Sequence, residues 1–247
     1  MNTLKNLLHQ ATSQCWVQLA SDPLANIIED SSVIRLQSQH PGPFFNAVLE
    51  IKNPLSEEEA RRIKDSYGDA SLMWYSQEED TLSQEALKSI GLSCVGDAVG
   101  MGAAVEDLER SNESPNPIHP VTSLEDVIQW MQPITEAFGL DESSKDFFQK
   151  IIESSLKNPA CKHYYLTHEG KPASSITALI LGESLYFCNG ATHSDYRKRG
   201  LHTYLVQHAL KQSLKARYAL AHCFPPSRNL FQRLGLKKVC TYPIYSG

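Results

Sequence analysis

Three cationic side chains and a glycine lie between a predicted strand and a predicted helix, in the segment Tyr-Arg-Lys-Arg-Gly-Leu-His at residues 196–202. The apolar run 184–192 predicts the strand, and apolar side chains at helical spacing predict the helix over 203–217. The positive end of a helix favours acidic residues over Arg and Lys. An anion at the junction would remove this conflict, because free N–H groups of the first turn would point at it and the glycine would allow close approach. The pattern therefore predicts a phosphate or diphosphate site, and a solvated basic turn is the alternative left open.

The length and the charge of the chain exclude several classes of protein. Its 247 residues are enough for one large domain or two ordinary ones, and its net charge is −5. A dedicated nucleic-acid binder is not expected, because phosphate contacts need a basic surface. No membrane span is predicted, because the sequence contains no run of about 18 apolar residues. Residues 1–20 predict a surface helix and no signal peptide.

The six cysteines and the acidic residues indicate no metal site. No Cys-x-x-Cys pair occurs, so the cysteines are interpreted as reduced core thiols of a cytoplasmic protein. The acidic run 57–59 suits the start of a helix, since its neighbours share one turn and lack liganding geometry.

The first part of the chain alternates short strands with helices and ends in a polar segment. Strands are predicted at 33–36, 44–51, 72–75 and 92–95, with helices at 56–67 and 82–90. Ser56 and Glu59 form a predicted capping box. The glycine-rich run 96–102 is predicted to be a connecting loop. The segment 106–119, rich in Pro and Asn, predicts a linker, which divides the chain into domains 1–118 and 119–247.

The second part predicts a mixed sheet with helices on both faces, an α/β fold. Helices are predicted at 123–131, interrupted by Pro133 with a continuation to Phe138, and at 141–156, 203–217 and 225–235. Strands are predicted at 162–167, 172–181, 184–192, 218–224 and 237–245. A ligand is expected at the carboxyl ends of the strands, beside the parallel step across the basic loop.

This order of elements, with this loop in this place, resembles the GNAT superfamily of acyl-CoA N-acyltransferases. The signature of that family is Arg/Gln-x-x-Gly-x-Gly/Ala, and Arg197, Gly200 and His202 occupy its positions. The segments 191–196 and 227–236 resemble the approach to that loop and the closing helix and strand of the family. The resemblance covers about residues 120–247.

The resemblance implies an N-acetyltransferase that uses acetyl-CoA as cosubstrate and acetylates a primary amine of a small molecule or peptide. It implies that backbone amides of the loop hold the CoA pyrophosphate and that the strand before the loop pairs with the pantetheine arm. The cofactor-binding residues it indicates are Asn189, Ala191, Thr192, Arg197, Lys198, Arg199, Gly200, Leu201, His202 and Asn229. No metal is implied, and a homodimer is compatible with the sequence.

Three positions depart from the family pattern. His202 stands where the signature has Gly or Ala, so its side chain must either turn away from the phosphates or contact them. Phe231 replaces a tyrosine that often protonates the leaving thiolate, and Phe224 replaces an asparagine. CoA binding is therefore better supported than any particular proton-transfer scheme.

Other residues near the loop are candidates for catalysis. His193 and His222 could act on the amine through a water, and Cys223 could donate a proton or carry an acyl group. Tyr242 and Tyr245 could replace the missing tyrosine hydroxyl. For each of these residues a structural role remains open, as a hydrogen-bonded imidazole, a core thiol or a half-buried strand tyrosine.

An internal similarity suggests that the first part is a second, degenerate GNAT-like unit. Residues 89–95 parallel residues 233–239, since both segments end a helix at Gly and enter a strand. Helix-stop chemistry alone could produce the same match. The first part has no basic loop, so no CoA is expected there.

Two functions other than acetyl transfer remain open. A non-catalytic acyl-CoA sensor or scaffold would explain the loss of the polar residues at Phe224 and Phe231. A nucleotide-binding protein could use the basic loop for a different diphosphate.

The substitution Gly200→Glu tests the anion site. We expect it to abolish CoA binding through bulk and like charge, while the fold survives. Thermal shift with CoA, ATP and NAD measures this, and unchanged affinity for CoA would place the cofactor elsewhere.

Overall fold

The computed structural model describes residues 2–19, 24–109, 113–213 and 215–247. Some residues of the predicted helices and of the predicted linker lie outside these ranges, namely Met1, Ala20, Asn112 and Leu214. Within them the helices are α1 (Asn2–Leu19), α2 (Glu57–Asp65), α3 (Thr81–Ser89), α4 (Leu124–Phe138), α5 (Glu142–Ser155), α6 (Leu201–Gln212) and α7 (Pro225–Arg233). The strands are β1 (Ala25–Glu29), β2 (Val33–Ser38), β3 (Ala47–Ile51), β4 (Met73–Tyr75), β5 (Ser93–Ala104), β6 (Ile118–Pro120), β7 (Cys161–His168), β8 (Lys171–Leu181), β9 (Ser184–Thr192), β10 (Tyr218–Cys223) and β11 (Lys237–Ser246).

All of these strands form one mixed sheet in the order β1-β2-β3-β4-β11-β5-β10-β9-β8-β7-β6. The pairs β3/β4 and β9/β10 are parallel, and the other neighbours are antiparallel. The predicted α/β fold with a mixed sheet and helices on both faces is confirmed.

The sheet contains the same arrangement twice. A three-stranded meander, a helix, a parallel strand, a helix and a final strand run from β1 to β5 and again from β7 to β11. The final strands are exchanged, because β5 lies between β11 and β10 while β11 lies between β4 and β5. The predicted division at residues 118 and 119 separates the two repeats along the chain, whereas in space each repeat completes the sheet of the other.

The ends of α3 and α7 are capped in the same way. Gly91 and Gly235 have φ angles of 87° and 103°, a left-handed conformation that glycine adopts readily. The residue after each glycine, Leu92 or Leu236, donates its N–H to the carbonyl oxygen five residues earlier. The donor–acceptor distances are 3.1 Å for Leu92 and 3.0 Å for Leu236. Both caps are therefore of the Schellman type. The short sequence match reflects repeated local structure, and the prediction of two similar halves is confirmed.

The prediction of a loop for the glycine-rich run 96–102 is wrong, because this run forms most of the central strand β5. The glycines serve close packing: a Cβ at Gly100 would lie 2.6 Å from Cys240 Sγ and 3.3 Å from Leu8 of α1. A Cβ at Gly102 would likewise meet side chains within 3.3 Å. Glycine in a strand can mark a site where other groups approach closely, and here it lets α1 pack on the sheet.

Several predicted boundaries also differ from the structure. Helix α4 runs without a break through Pro133, which is buried against the sheet, so packing outweighs the local cost of proline. Strand β1 was not predicted. Strand β6 begins inside the predicted linker and extends one residue past its end. Helix α6 begins two residues earlier and ends five residues earlier than predicted. The predicted capping box at Ser56 is confirmed, and a second one, formed by Ser123 and Asp126, begins α4.

The two faces of the sheet have different covers. Helices α1, α4 and α5 share a core on one face, whereas α6 and α7 pack on the other. Helices α2 and α3 cover the part of the sheet formed by the first repeat. Helix α1 contacts β3, β5, β8, β9, β10 and β11, so a helix at the start of the chain lies on strands of both repeats.

We expect Gly100→Ala to reduce the free energy of unfolding by about 1–3 kcal/mol, the typical cost of overpacking a core. Urea unfolding measures this value. Cys240→Ala removes the atom nearest to the new methyl group. The double variant should therefore lose less free energy of unfolding than the two single variants lose in sum. Strict additivity would show that the contact between Gly100 and Cys240 does not limit packing there.

Candidate active site

The parallel strands β9 and β10 diverge near their carboxyl ends. Their pairing runs from Ser184↔Tyr218 to Phe187↔Ala221 and stops, although both strands continue. Opposite β8, two residues of β9, Asn189 and Gly190, face one residue of the partner strand. This is a β-bulge, and Asn189 has the positive φ of 49° that Asn tolerates better than most residues. The bulge turns β9 away and leaves a gap between the two strands.

The basic loop follows this gap and opens α6. Gly200 is the N-cap of α6 with a φ of 74°, and it supplies no side-chain cap. In the described part of the chain, none of the backbone N–H groups from residue 198 to residue 203 has a hydrogen-bond acceptor. These six consecutive N–H groups, which lead into α6, are therefore available for an anion, and the diphosphate site stays a prediction.

Two of the loop cations stabilise the loop itself. The Nε of Arg197 donates to the carbonyl of Thr192 at 3.0 Å, and one of its terminal nitrogens lies 3.6 Å from Glu136 of α4. Arg199 donates to Nε2 of His168 at 3.0 Å. These contacts tie the loop to α4 and to the β7–β8 turn. Lys198 is exposed with a φ of 64°.

The side chain of His202 turns into the sheet. Its Nδ1 lies 2.9 Å from Ser174 Oγ on β8, and its ring lies against Gly190. A Cβ at Gly190 would be 2.7 Å from Nε2, so the large residue at the end of the signature is matched by glycine on β9. Burial lowers the pKa of His202 to about 4, so the ring is neutral at pH 7.

The three candidate catalytic residues do not converge. His222 points toward α1, whereas Cys223, the next residue on β10, lies in the opposite core with α6 and α7. Burial raises the pKa of the Cys223 thiol to about 12, so the thiol keeps its proton at pH 7. His193 lies outside the sheet, where its Nδ1 accepts from the N–H of Asp195 at 3.4 Å.

His222 is surrounded by polar groups that the sequence did not indicate. Its Nδ1 lies 3.0 Å from the hydroxyl of Tyr186 on β9 and 3.3 Å from Thr12 Oγ1 on α1. Its Nε2 is buried and has no hydrogen-bond partner among the described residues. Burial, followed by the charge of His9, lowers its pKa to about 3. Strand alternation could have indicated Tyr186, which lies two residues before Cys188, but no local pattern indicates Thr12.

The two candidate tyrosines of β11 have different surroundings. Tyr242 places its ring 4.7 Å from that of His222, and its hydroxyl lies 2.7 Å from Nδ1 of His9. Tyr245 lies in the core of the first repeat and donates to Gln84. Only Tyr242 is therefore near the gap.

The start of α7 borders the gap on the other side. Phe224 is its N-cap and is 48% exposed, and Asn229 is exposed on the helix. Phe231 is buried and packs 5.9 Å from the ring of Phe187. The position where the family often has a tyrosine therefore belongs to the core.

Among the described residues of the first repeat, the position that corresponds to the basic loop is the start of α2, and it differs in charge. Ser56 and Glu59 satisfy two N–H groups there through their capping box, and Glu57, Glu58 and Glu59 make the first turn acidic. Two cavities of about 460 and 330 Å³ flank this helix start, and neither is lined by a residue of the basic loop. Among the described residues, no cluster of His, Cys, Asp and Glu could hold a metal ion, and no helix is long and apolar enough to cross a membrane.

Comparisons with known proteins show which family this part of the chain resembles. Residues 122–222, about two fifths of the chain, match the family described as an acetyltransferase (GNAT) domain. The predicted resemblance to the GNAT superfamily is thus confirmed over these residues.

Solved structures extend the GNAT fold to nearly the whole chain. A GCN5-related N-acetyltransferase from Kribbella flavida is 15% identical with a TM-score of 0.71, over 97% of this chain and 95% of its own. A functionally unknown conserved protein from Staphylococcus epidermidis is 12% identical with a TM-score of 0.69, over 94% and 96%. A tandem GNAT protein from the clavulanic acid biosynthesis pathway is 10% identical with a TM-score of 0.62, over 97% and 87%. A search of curated proteins found no match.

The geometry of Gly200 provides a control for the Gly200→Glu substitution. Gly182, in the β8–β9 turn, has a similar φ of 60° and, like Gly200, no atom that a Cβ would meet within 4 Å. Gly182→Glu should therefore carry the same backbone strain, about 1–3 kcal/mol, without touching the loop. Loss of CoA binding in both variants would indicate a loss of stability instead of a blocked site.

Three histidines should make the stability of the protein depend on pH. Burial lowers the pKa of His163 and His202 to about 4 and that of His222 to about 3. The unfolded chain binds protons at these residues near pH 6.5, so it holds more protons than the folded chain between pH 6.5 and 4. Stability should therefore be full above pH 7 and fall as the pH decreases through that window.

Urea unfolding between pH 6 and 5 measures this slope. Each buried histidine contributes about 1.4 kcal/mol per pH unit where only the unfolded state is protonated. His163→Gln removes one such histidine, so it should reduce the slope by about 1.4 kcal/mol per pH unit. An unchanged slope in that variant would contradict the neutral state assigned to His163.

Proposed function

We propose that this protein is an N-acetyltransferase that transfers the acetyl group of acetyl-CoA to a primary amine. The observation that carries the proposal is the row of six free N–H groups at residues 198–203, which opens α6 beside the gap between β9 and β10. A diphosphate fits this row, because the groups point from a helix N-terminus and cationic side chains surround them. The GNAT domain and fold support the same reaction class.

Different segments of the chain would bind different parts of acetyl-CoA in such a site. The loop would hold the diphosphate, and the bulged end of β9, from Asn189 to Thr192, would hold the pantetheine arm and place the thioester in the gap. The amine nitrogen forms a bond to the thioester carbonyl carbon, the carbon–sulfur bond breaks, and the proton of the amine ends on the CoA sulfur. The resulting products are an amide and free CoA.

The acceptor is proposed to reach the gap from the face that α1 covers. Tyr186, Cys188 and His222 line this face at the ends of β9 and β10, and Thr12 and Cys15 of α1 contact them. These three side chains are uncharged at pH 7, because burial raises the pKa of Tyr186 and Cys188 and lowers that of His222. The amine must therefore lose its proton before or during entry.

A second function is supported by the core position of Phe231. Since this residue packs on Phe187 and carries no hydroxyl, a CoA-binding sensor without catalysis would retain the loop and lose the proton donor. Turnover distinguishes the two functions, because both of them require CoA binding.

Acetyl-CoA at a hundredfold excess over its Kd should stabilise the protein by about 2.7 kcal/mol in thermal shift. Release of free thiol with a panel of primary amines then measures transfer. Gly182→Glu should behave as wild type in both assays, and Gly200→Glu should lose both.

The possible outcomes separate the proposals. Binding without thiol release on a broad panel would favour the sensor. A shift with ATP and none with CoA would overturn both functions and favour a nucleotide-binding protein.

A further inference from the structure

Two hydroxyl groups from different parts of the fold converge on one nitrogen of His222. Tyr186 on β9 lies 3.0 Å from Nδ1, and Thr12 on α1 lies 3.3 Å from it. In the described part of the chain, these are the side-chain hydrogen bonds that the two hydroxyl groups make. Burial raises the pKa of Tyr186 well above its ordinary value, so its hydroxyl keeps the proton at pH 7.

Counting protons assigns the tautomer of His222. If Nδ1 carries no proton, both hydroxyl groups can donate to its lone pair in a three-centre hydrogen bond, so each hydroxyl proton has an acceptor. If Nδ1 carried the proton, it would donate to a hydroxyl oxygen, and the described residues show no other hydrogen bond that could take either hydroxyl proton. A buried donor without an acceptor costs about 1–3 kcal/mol. The first arrangement is therefore favoured, and it places the imidazole proton on Nε2.

The remaining nitrogen is a buried donor at the diverging strands. His222 is the first residue of β10 beyond its last pair with β9, and its Nε2 has no partner among the described residues. Asn189, at the bulge of β9, also has a buried amide nitrogen without a partner in this part of the structure. Unsatisfied buried donors are rare in folded proteins, and two of them flank the gap. A ligand oxygen in the gap would satisfy them.

We propose that Thr12 and Tyr186 fix His222 with its proton on Nε2, and that this N–H donates to the carbonyl oxygen of the bound thioester. This inference rests on the proposed function and gives His222 a role that differs from the general base expected from the sequence. The imidazole is an electrophilic group, because it stabilises the negative charge that develops on the oxygen as the amine attacks. Thr12 and Tyr186 are positioning residues. The first helix of the chain thereby supplies part of the active site.

The tautomer can be measured without any substrate. Proton–nitrogen correlation spectra of protein labelled with ¹⁵N-histidine should show His222 neutral, with its proton on Nε2, and His222→Gln assigns the signal by its loss. Tyr186→Phe removes the donor and should shift the Nδ1 resonance or mix the two tautomers. The matched control is Tyr164→Phe, which removes a tyrosine hydroxyl near His208 on the other face of the sheet and should leave the signal unchanged. A proton on Nδ1 in the wild type would overturn the inference.

The second measurement follows acetyl-CoA labelled with ¹³C at the thioester carbonyl. Its resonance should move to higher frequency on binding to the wild type, and His222→Phe should reduce this shift. His222→Gln should restore part of it, because the side-chain amide of glutamine can donate from a similar position. For an amine that the wild type acetylates, His222→Phe should lower kcat by about 10²–10³ with a smaller change in KM.

The outcomes distinguish the inference from the proposed function. If acetyl-CoA binds and turns over but the carbonyl shift is the same in wild type and His222→Phe, the inference is wrong and the function stands. If acetyl-CoA does not bind to the wild type, both are overturned. Because His222 packs against α1, circular dichroism and the binding of CoA confirm that each variant is folded before its carbonyl shift is compared.

Discussion

The antiparallel pairing of β5 with β11 is the interaction on which the rest of the structure depends. It joins the final strands of the two repeats and makes one sheet from two incomplete ones. Glycines at positions 100 and 102 of β5 allow side chains of α1 and the neighbouring strands to approach within about van der Waals distance. The close packing of α1 places Thr12 Oγ1 3.3 Å from Nδ1 of His222, so the packing at the centre of the sheet positions side chains of the candidate site.

The two repeats have kept the same fold and have diverged in the charge at one helix start. In the second repeat α6 begins with free N–H groups and cations, whereas in the first repeat α2 begins with its own capping carboxylate. The capping box satisfies two N–H groups of this helix start, those of Ser56 and Glu59, and three glutamates lie in its first turn. The corresponding position of the first repeat therefore carries negative charge, which disfavours a diphosphate, and its helix α1 packs on strands of the second repeat.

The predictable parts of the fold and the site are those specified by neighbours in sequence. The capping boxes, the strand before the basic loop and the glycine at its turn follow from short-range rules, and the structure contains all of them. The glycine-rich strand β5 was predicted as a loop, because glycine favours turns locally and only its neighbours in space make it necessary. His202 shows the same limit. Its position was evident from the signature, but its direction depends on Ser174 and Gly190.

The sequence by itself determined the order of elements, the presence of a basic helix start and the resemblance to the GNAT superfamily. These features depend on periodicity, capping and charge over a few residues, all of which can be read along the chain. The tertiary structure alone decided that the repeats exchange their last strands, that β9 and β10 part at a bulge, and that Thr12 and Tyr186 meet at His222. The physical reason is that these contacts join residues up to 210 positions apart, and packing selects them only when the whole sheet has formed.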